Sequence, residues 1–124
     1  MKVLHSDVRY REVFAESALI TTDYSSVAFD FAYLKKPVVY TQFDECHYEE
    51  GYFDYEKDGF GEIEHTVEGA VNRIVEYMQN DCRMKQTYVD RVDGFFKYHD
   101  GKNCERVYRA IKALDERTSG RRNA

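Results

Sequence analysis

The sequence predicts an α/β fold with a short parallel sheet, and three features of one stretch predict it. Residues 18–22, Ala-Leu-Ile-Thr-Thr, form the short apolar and β-branched run expected of a buried strand. Residues 23–26, Asp-Tyr-Ser-Ser, crowd small polar side chains into the turn where a helix should begin. Pro37 ends that helix and opens a second apolar strand at residues 38–41. Because a helix that joins neighbouring strands makes them parallel, this unit predicts a parallel sheet.

The helices before and inside this unit follow from the spacing of apolar residues. A helix from about Val8 to Ser17 is predicted, with Asp7 as its N-cap. After the polar turn, Val27, Phe31 and Leu34 recur at spacings of four and three, which places them on one face of the second helix.

The second half of the chain is predicted to hold a long connection followed by three helices. Residues 41–64 are predicted to be irregular, and loops of this length in a compact domain are usually functional or mobile. Thr66 should cap a helix that ends near Asn80, and we expect its apolar stripe to be core. Further helices are predicted from about Arg83 to Phe95 and after a cap at Asn103. The apolar faces of these three helices are, in order, Val67, Ala70, Val71, Ile74, Val75 and Met78; Met84, Tyr88, Val92 and Phe95; and Cys104, Val107, Tyr108, Ile111 and Leu114.

Composition indicates a soluble globular protein and excludes several partners. Hydrophobic residues make up 43% of the chain and charged residues 33%, with no apolar run long enough for a transmembrane helix and no visible signal peptide. A net charge of −5 excludes a general nucleic-acid binder, because phosphate contacts need clustered Lys and Arg. Cys46, Cys82 and Cys104 form no Cys-x-x-Cys pair, so we expect free thiols in a reducing cytoplasm. The His and acidic residues show no metal-ligand spacing, so no metal ion or cofactor is expected.

The polar turn is the candidate binding site. In parallel sheets, ligands bind outside the carboxyl ends of the strands, and residues 23–26 lie at such an end. The start of a helix offers backbone N–H groups and the positive end of a dipole, which suit a phosphate. The hydroxyls of Ser25 and Ser26 add donors without adding charge. The alternative is that Asp23 or Ser25 only caps the helix, which is the commonest use of these residue types.

A set of short stretches extends this interpretation, and these are Leu-Ile-Thr-Thr-Asp-Tyr-Ser-Ser-Val-Ala-Phe-Asp-Phe at 19–31, Leu-Lys-Lys-Pro-Val-Val-Tyr at 34–40, Phe43-Asp44, Gly51-Tyr52-Phe53-Asp54-Tyr55-Glu56, Asp100-Gly101-Lys102 and Glu105-Arg106-Val107. Together they resemble the CDP-glycerol glycerophosphotransferase family, the teichoic acid primases and polymerases. The resemblance covers about Ser6 to Leu114, which is nearly all of the chain but only the C-terminal part of such an enzyme.

The resemblance implies the C-terminal half of a GT-B-type transferase, in which two Rossmann-like halves face a cleft. Residues 1–115 would be a fragment of the nucleotide-donor-binding domain. This fragment would be a partial, Rossmann-like, three-layer domain with a short parallel sheet and several helices at its end. Residues 116–124 are polar, and this composition predicts a fraying tail. Such enzymes transfer glycerol phosphate from CDP-glycerol to a teichoic acid or related cell-surface polymer and release CMP. Because the family's catalytic His lies upstream of this segment, we expect the isolated chain to be inactive.

The resemblance also implies which residues contact the donor. Thr22, Asp23, Tyr24, Ser25 and Ser26 would lie against its pyrophosphate, where the helix start stabilises the charge on the departing CMP. The polymer acceptor would bind through the other half. We expect the full enzyme in the cytoplasm, peripheral to the inner face of the cell membrane.

One further residue is implied, and two stretches depart from the family. Asp30 lies one turn past the serines, where many two-domain transferases hold the nucleotide ribose with a carboxylate; the alternative is a solvated Asp on the polar side of its helix. Glu50 stands where a basic residue is usual, and Phe60-Gly61-Glu62 stands where a Pro-Gly-Pro-like turn is usual. These departures weaken the implied acceptor or phosphate contacts of this loop.

Two other functions remain open from the sequence. A ribitol-phosphate or capsular polysaccharide transferase uses the same kind of half. A stand-alone, non-catalytic nucleotide-binding or interaction module is also compatible, because none of the four His matches the context of the catalytic base. A phospho-receiver is excluded, because the twelve residues between Asp23 and Lys36 leave room for one crossover unit only.

Overall fold

The computed structural model of the chain describes residues 7–44, 51 and 53–122. Within these ranges it is an α/β structure, as predicted, that begins with helix and strand in alternation and ends in three helices. The elements in chain order are α1 (Tyr10–Glu16), β1 (Ile20–Thr22), α2 (Val27–Tyr33), β2 (Val38–Thr41), α3 (Tyr55–Asp58), β3 (Ile63–Glu64), α4 (Val67–Gln79), α5 (Gln86–Phe95) and α6 (Asn103–Arg122).

The three strands form one parallel sheet in the order β1-β2-β3. Ile20 pairs with Val38, and Tyr40 pairs with Ile63, so β2 is the central strand. This confirms the predicted short parallel sheet and is consistent with part of a Rossmann-like domain.

Helices cover both faces of the central strand. Val38 and Tyr40 pack in one core cluster with Ala28 and Phe31 of α2. Val39 is fully buried, and because side chains alternate along a strand it points to the other face, where α4 packs against β2. The result is a helix–sheet–helix arrangement. A second cluster attaches α5 to α2 and consists of Ala32, Phe60 and Val92, with Phe29, Phe53, Met84 and Phe96 packed against it.

The two lysines before Pro37 hold α1 and α2 in place. Lys35 adopts the left-handed conformation (φ 55°), and its N–H donates to the Ala32 carbonyl at 2.8 Å while the N–H of Lys36 donates to the Phe31 carbonyl at 3.1 Å. This pattern closes α2 with a Schellman motif. The Lys36 ammonium then donates to carbonyls at the end of α1, including that of Ser17 at 2.7 Å. The Leu-Lys-Lys-Pro stretch therefore has a structural role in joining these helices.

Several predicted boundaries are wrong. Arg9 rather than Asp7 is the N-cap of α1, and no side chain of the described residues caps that helix. The 41–64 connection is not irregular throughout, because its described part holds α3 and β3. The carboxylate of Asp54 accepts from the N–H groups of Glu56 and Lys57, which starts α3.

The predicted core stripe of α4 is the clearest error. Thr66 caps the helix as expected, its hydroxyl accepting from the Gly69 N–H at 3.0 Å. However, the buried residues of α4 are Ala70 and Tyr77, and most of the predicted stripe is 43–66% exposed. The part of the chain that the structure describes does not cover this side of the helix. The exposed members of the stripe are Val67, Val71, Val75 and Met78.

The last two helices also differ from prediction. α5 begins at Gln86 because Lys85 is extended, and it ends at Phe95 as predicted. α6 continues to Arg122, so residues 116–122 are helical and not a fraying tail. The division of the chain at residue 115 stays a prediction. None of the described helices combines the length and the apolarity needed to cross a bilayer.

Candidate functional site

A cavity of about 620 Å³ lies at the carboxyl ends of β1 and β2. This is the edge of the sheet at which α/β proteins bind ligands, and the volume falls within the range of small-molecule sites. The lining residues come from the segments that leave the two strands, which are Thr22, Asp23 and Tyr24 after β1 and Thr41, Gln42, Phe43 and Asp44 after β2.

The two serines of the polar turn are exposed and follow the lining residues directly. Their oxygens engage the first N–H groups of α2. The Ser25 hydroxyl accepts from the Val27 N–H at 3.4 Å, and its carbonyl accepts from the Ala28 N–H at 3.3 Å. The Ser26 carbonyl accepts from the Phe29 N–H at 3.0 Å. Because these N–H groups are used within the turn, and α2 has only seven residues, an anion here would rely on the serine hydroxyls.

Tyr24 is held in the turn by the aromatic core. The Tyr55 hydroxyl donates to the Tyr24 carbonyl at 3.3 Å, and the two rings meet edge to face with their centroids 5.5 Å apart. Tyr55 packs in turn against Tyr40, whose hydroxyl accepts from the Phe60 N–H at 3.3 Å. Burial raises the pKa of Tyr40 to about 12, so this ring stays neutral at any physiological pH. A rigid core therefore supports one wall of the cavity.

Gln42 is one of four cavity-lining residues, those at 41–44, that the sequence interpretation did not assign to the site. Its N–H donates to the Glu64 carbonyl at 3.0 Å, and its carbonyl lies 3.0 Å from Nδ1 of His65. Its side-chain nitrogen Nε2 is buried and has no hydrogen-bond partner among the described residues. Its position in the sequence is a signal that could have found it. Gln42 directly follows β2 just as Asp23 directly follows β1, and the carboxyl ends of parallel strands are where ligands bind.

Asp30 is not brought together with the turn. It is exposed, and it borders a different cavity of about 410 Å³ whose other walls include Phe29, Tyr33, Phe96 and Asn103. Its predicted contact with a ribose stays a prediction. Asp30 and residues 22–24 line separate cavities, so one small group would not contact both cavity linings.

The altered Phe60-Gly61-Glu62 stretch has structural roles. Phe60 is fully buried in the core. A Cβ atom on Gly61 would lie 1.6 Å from the Val38 carbonyl oxygen, so β2 and this segment approach too closely for any side chain. Glu62 accepts from the Tyr77 hydroxyl at 2.7 Å and pairs with Lys85. The other departure, Glu50, lies outside the described residues.

An ion-pair network surrounds Glu62. Arg73 joins three carboxylates, lying 2.9 Å from Glu64, 2.7 Å from Glu76 and 3.8 Å from Glu62. Burial raises the pKa of the Tyr77 phenol, and its hydrogen bond to Glu62 raises it further. Hydrogen bonding to Lys85 lowers the pKa of Glu76. Because these charges are paired with one another, we assign the network to stability.

The two C-terminal family-like stretches meet in one ion pair. Arg106 contacts both carboxylate oxygens of Asp100, with the longer of the two contacts at 2.8 Å. The Arg106 guanidinium also lies 3.8 Å from the centre of the Tyr98 ring. Between the paired residues, Gly101 has a φ of 71°, which a glycine adopts without strain. These residues fix the turn that starts α6.

The described histidines lie outside the cavity lining. His65 contacts the Gln42 carbonyl, and His99 stacks on Tyr33 with ring centroids 5.3 Å apart. Both are exposed, and neither is paired with a carboxylate that would orient it as a base. His5 and His47 fall outside the described residues.

Comparison with known proteins shows where this chain belongs. The family model of CDP-glycerol:poly(glycerophosphate) glycerophosphotransferases matches residues 1–113. The minor teichoic acid biosynthesis protein GgaB of Bacillus subtilis (strain 168) is 46% identical over 107 residues, which cover 86% of this chain and 12% of the relative. The teichoic acid poly(glycerol phosphate) polymerase of the same strain is 32% identical over 105 residues, covering 82% of this chain and 14% of the relative.

A ribitol polymerase is similar as well. The teichoic acid ribitol-phosphate polymerase TarL of Staphylococcus aureus (strain NCTC 8325 / PS 47) is 29% identical over 96 residues, covering 75% of this chain and 16% of the relative. The chain thus spans between about an eighth and a sixth of the length of these relatives. The matches converge on one group of transferases, and the chain belongs to the CDP-glycerol:poly(glycerophosphate) glycerophosphotransferase family.

Proposed function

We propose that this chain forms the donor-binding part of a teichoic acid glycerophosphotransferase, and that it binds CDP-glycerol at the carboxyl ends of β1 and β2. The observation that supports the proposal is that the most family-like stretch of the sequence and a cavity lie at the same place in the fold. The Asp-Tyr-Ser-Ser stretch, which resembles the family most specifically, lies beside a cavity at the edge of the sheet where ligands bind in α/β folds.

The donor diphosphate would contact the outer side of the turn. Ser25 and Ser26 are exposed there, and each hydroxyl can donate to a phosphate oxygen. Thr22, Asp23 and Tyr24 would lie along the inner side, against the parts of the donor next to the diphosphate. The serine donors are neutral, so they strengthen as negative charge develops on the departing phosphate without holding CMP afterwards as tightly as cations would.

The reaction itself needs the whole protein. An acceptor hydroxyl oxygen forms a bond to the phosphorus of the glycerol phosphate, the bond from that phosphorus to the CMP oxygen breaks, and the acceptor proton goes to a base. We place the base and the polymer acceptor on the remainder of a longer protein, as the 12% coverage of GgaB suggests. We also propose that the full protein acts in the cytoplasm, against the inner face of the membrane.

Titration of the 124-residue chain with CDP-glycerol by NMR tests the proposal. We expect shift changes at residues 22–26 and 41–44. The double variant Ser25→Ala/Ser26→Ala should bind about tenfold more weakly, because two hydrogen bonds of about 1 kcal/mol are lost in part. Ser119→Ala, an exposed serine of α6, is the matched control and should bind normally.

Two results would contradict the proposal. One is equal affinity of the double serine variant and the wild type. The other is a set of shift changes centred on the cavity beside Asp30 and Phe96.

The similarity to TarL supports a second donor, CDP-ribitol. Both donors contain the same cytidine diphosphate group, and they differ only in the alditol attached to it. Titration with both, together with CMP and UMP, separates the possibilities. A cytidine donor predicts tighter binding of CMP than of UMP, and equal binding of these nucleotides would exclude a cytidine-specific site.

A further inference from the structure

We propose that Gln42 is a recognition residue whose side-chain amide binds a hydroxyl oxygen of a vicinal diol in the donor. This inference rests on the proposed function of the cavity and assigns the chemistry of the group that fills it. The diol belongs either to the nucleotide ribose or to the alditol that is transferred, and the experiment below distinguishes these sources.

The backbone of Gln42 is fixed by the sheet. Its N–H extends the β2–β3 ladder by donating to Glu64, and its carbonyl contacts His65. The backbone is therefore anchored on the side of β3, and Gln42 is among the residues that line the cavity at the ends of β1 and β2.

The amide nitrogen is buried without a hydrogen bond to any described residue. An unsatisfied buried donor costs about 1–3 kcal/mol, and such groups in native structures call for an explanation. The nitrogen itself is not accessible from the cavity, so the inference requires the Gln42 side chain to turn toward the ligand, whose acceptor then completes the hydrogen bonding.

The charges around the amide indicate the kind of acceptor. Asp23 and Asp44 line the same cavity, and no Lys or Arg is among its described lining residues. Two carboxylates would repel a phosphate group placed next to them. A hydroxyl group suits both partners, because it donates to a carboxylate and accepts from an amide N–H.

A pair of neighbouring hydroxyls fits the whole set. Asp23 and Asp44 supply acceptors, Gln42 supplies a donor, and the Thr22 and Thr41 hydroxyls can act in either sense. The serine hydroxyls of the outer turn remain for the diphosphate. The cavity thus divides the donor into a polyol part inside and a charged part at the rim.

The variant Gln42→Met tests the inference, because methionine has a similar length and no polar N–H. Without ligand, its melting temperature should rise by about 3 °C, since an unsatisfied donor is removed. Its affinity for CDP-glycerol should fall about tenfold, since one hydrogen bond is lost. Gln79→Met, at an exposed position of α4, is the matched control and should change neither quantity. A lower melting temperature with unchanged affinity would overturn the inference.

Three smaller probes distinguish the source of the diol. If the ribose is bound, Gln42→Met should weaken the binding of CMP and leave that of 2′,3′-dideoxy-CMP unchanged. If the alditol is bound, the variant should weaken the binding of glycerol 3-phosphate and leave both nucleotides unchanged. The variant could instead weaken the binding of CMP and of its dideoxy analogue equally and leave the binding of glycerol 3-phosphate unchanged. The amide would then contact the cytosine base rather than a diol, and the inference would be wrong.

The inference and the proposed function fail in different ways. If Gln42→Met binds CDP-glycerol as the wild type does, the inference is wrong and the proposed function stands. If the wild type binds no nucleotide, the proposed function is wrong, and the inference is wrong with it because it concerns a diol of the bound donor.

Discussion

Two polar regions flank the central strand, one around Glu62 and one around Gln42, and they differ in how their polar groups are paired. Glu62 contacts three partners, which are Tyr77, Lys85 and Arg73. Gln42 lies only one strand away, and its amide nitrogen has no partner within the described ranges. In contrast to that buried nitrogen, Ser25 and Ser26 in the same region are exposed.

The difference separates groups that stabilise the fold from groups that are available to a ligand. A half-buried network whose members satisfy one another makes the native state rigid and specific. A buried donor without a partner lowers stability, and the fold tolerates it where a ligand supplies the missing acceptor. The comparison therefore predicts opposite effects of substitution in the two regions, which is a loss of stability around Glu62 and a gain or no change around Gln42.

The largest effect is expected at Gly61, which positions Glu62. In Gly61→Ala the new Cβ would meet the Val38 carbonyl oxygen at 1.6 Å, so β2 or the 60–62 segment must move. We expect a loss of about 3 kcal/mol in the free energy of unfolding, measured by urea denaturation.

Gly94→Ala provides the matched control for that substitution. No atom lies within 4 Å of a Cβ at Gly94, which is inside α5. Because alanine favours a helix more than glycine does, we expect a gain of about 0.5 kcal/mol. Similar losses in the two variants would show that close packing at Gly61 does not constrain the structure.

A smaller effect is expected at Glu62 itself. Glu62→Gln keeps the shape of the side chain but removes the charge that faces Lys85 and Arg73. The Glu62 side chain is only 14% exposed, so we expect a loss of about 2 kcal/mol in the free energy of unfolding. Glu105→Gln breaks the exposed pair with Arg109 and should cost about 0.5 kcal/mol at most. Equal costs in urea denaturation would contradict the distinction between the half-buried network and surface pairs.

Local signals predicted the part of the fold that carries the site. The apolar strands, the serine turn and Pro37 all indicate one strand–helix–strand unit, and the structure contains it. β3 was missed because its two residues, Ile63 and Glu64, are too few to show alternation. Pairing of Tyr40 with Ile63 defines that strand, and such pairing between distant segments leaves no local pattern.

The errors in burial have a different cause. Periodicity shows which residues of α4 share a face, but it does not show what covers that face. Tyr77 is buried instead, and its hydrogen bond to Glu62 joins residues 15 positions apart. The site was predicted in the same partial way. The edge of the sheet followed from the strand ends, and the position of Gln42 directly after β2 gave the same signal. That its amide nitrogen is buried without a partner among the described residues depends on tertiary packing, which the sequence does not show.

A still smaller change in stability is expected at the serine turn. Ser25→Ala removes only the 3.4 Å contact to the Val27 N–H, and the Ser26 side chain caps nothing. Each single variant should lie within about 0.5 kcal/mol of the wild type in urea denaturation. A loss near 2 kcal/mol at Ser25 would show that this serine acts as a helix cap, and it would favour the structural interpretation of the turn.

The smallest effect is expected for the ion pair between Asp100 and Arg106, which lies outside both regions. This pair is exposed, and both of its charges are matched, so it extends the comparison to the surface. Hydrogen bonding to Arg106, and then to the Lys102 N–H, lowers the pKa of Asp100 from its ordinary value of 3.8 to about 2. Because the folded pKa is depressed, the pair stabilises the fold above about pH 4, and its contribution is lost as the pH falls through about 2. In Arg106→Gln the pKa measured by carboxylate NMR should return toward 3.8. Arg109→Gln should leave it unchanged, and equal titration of Asp100 in all three proteins would mean that the bidentate contact does not persist in solution.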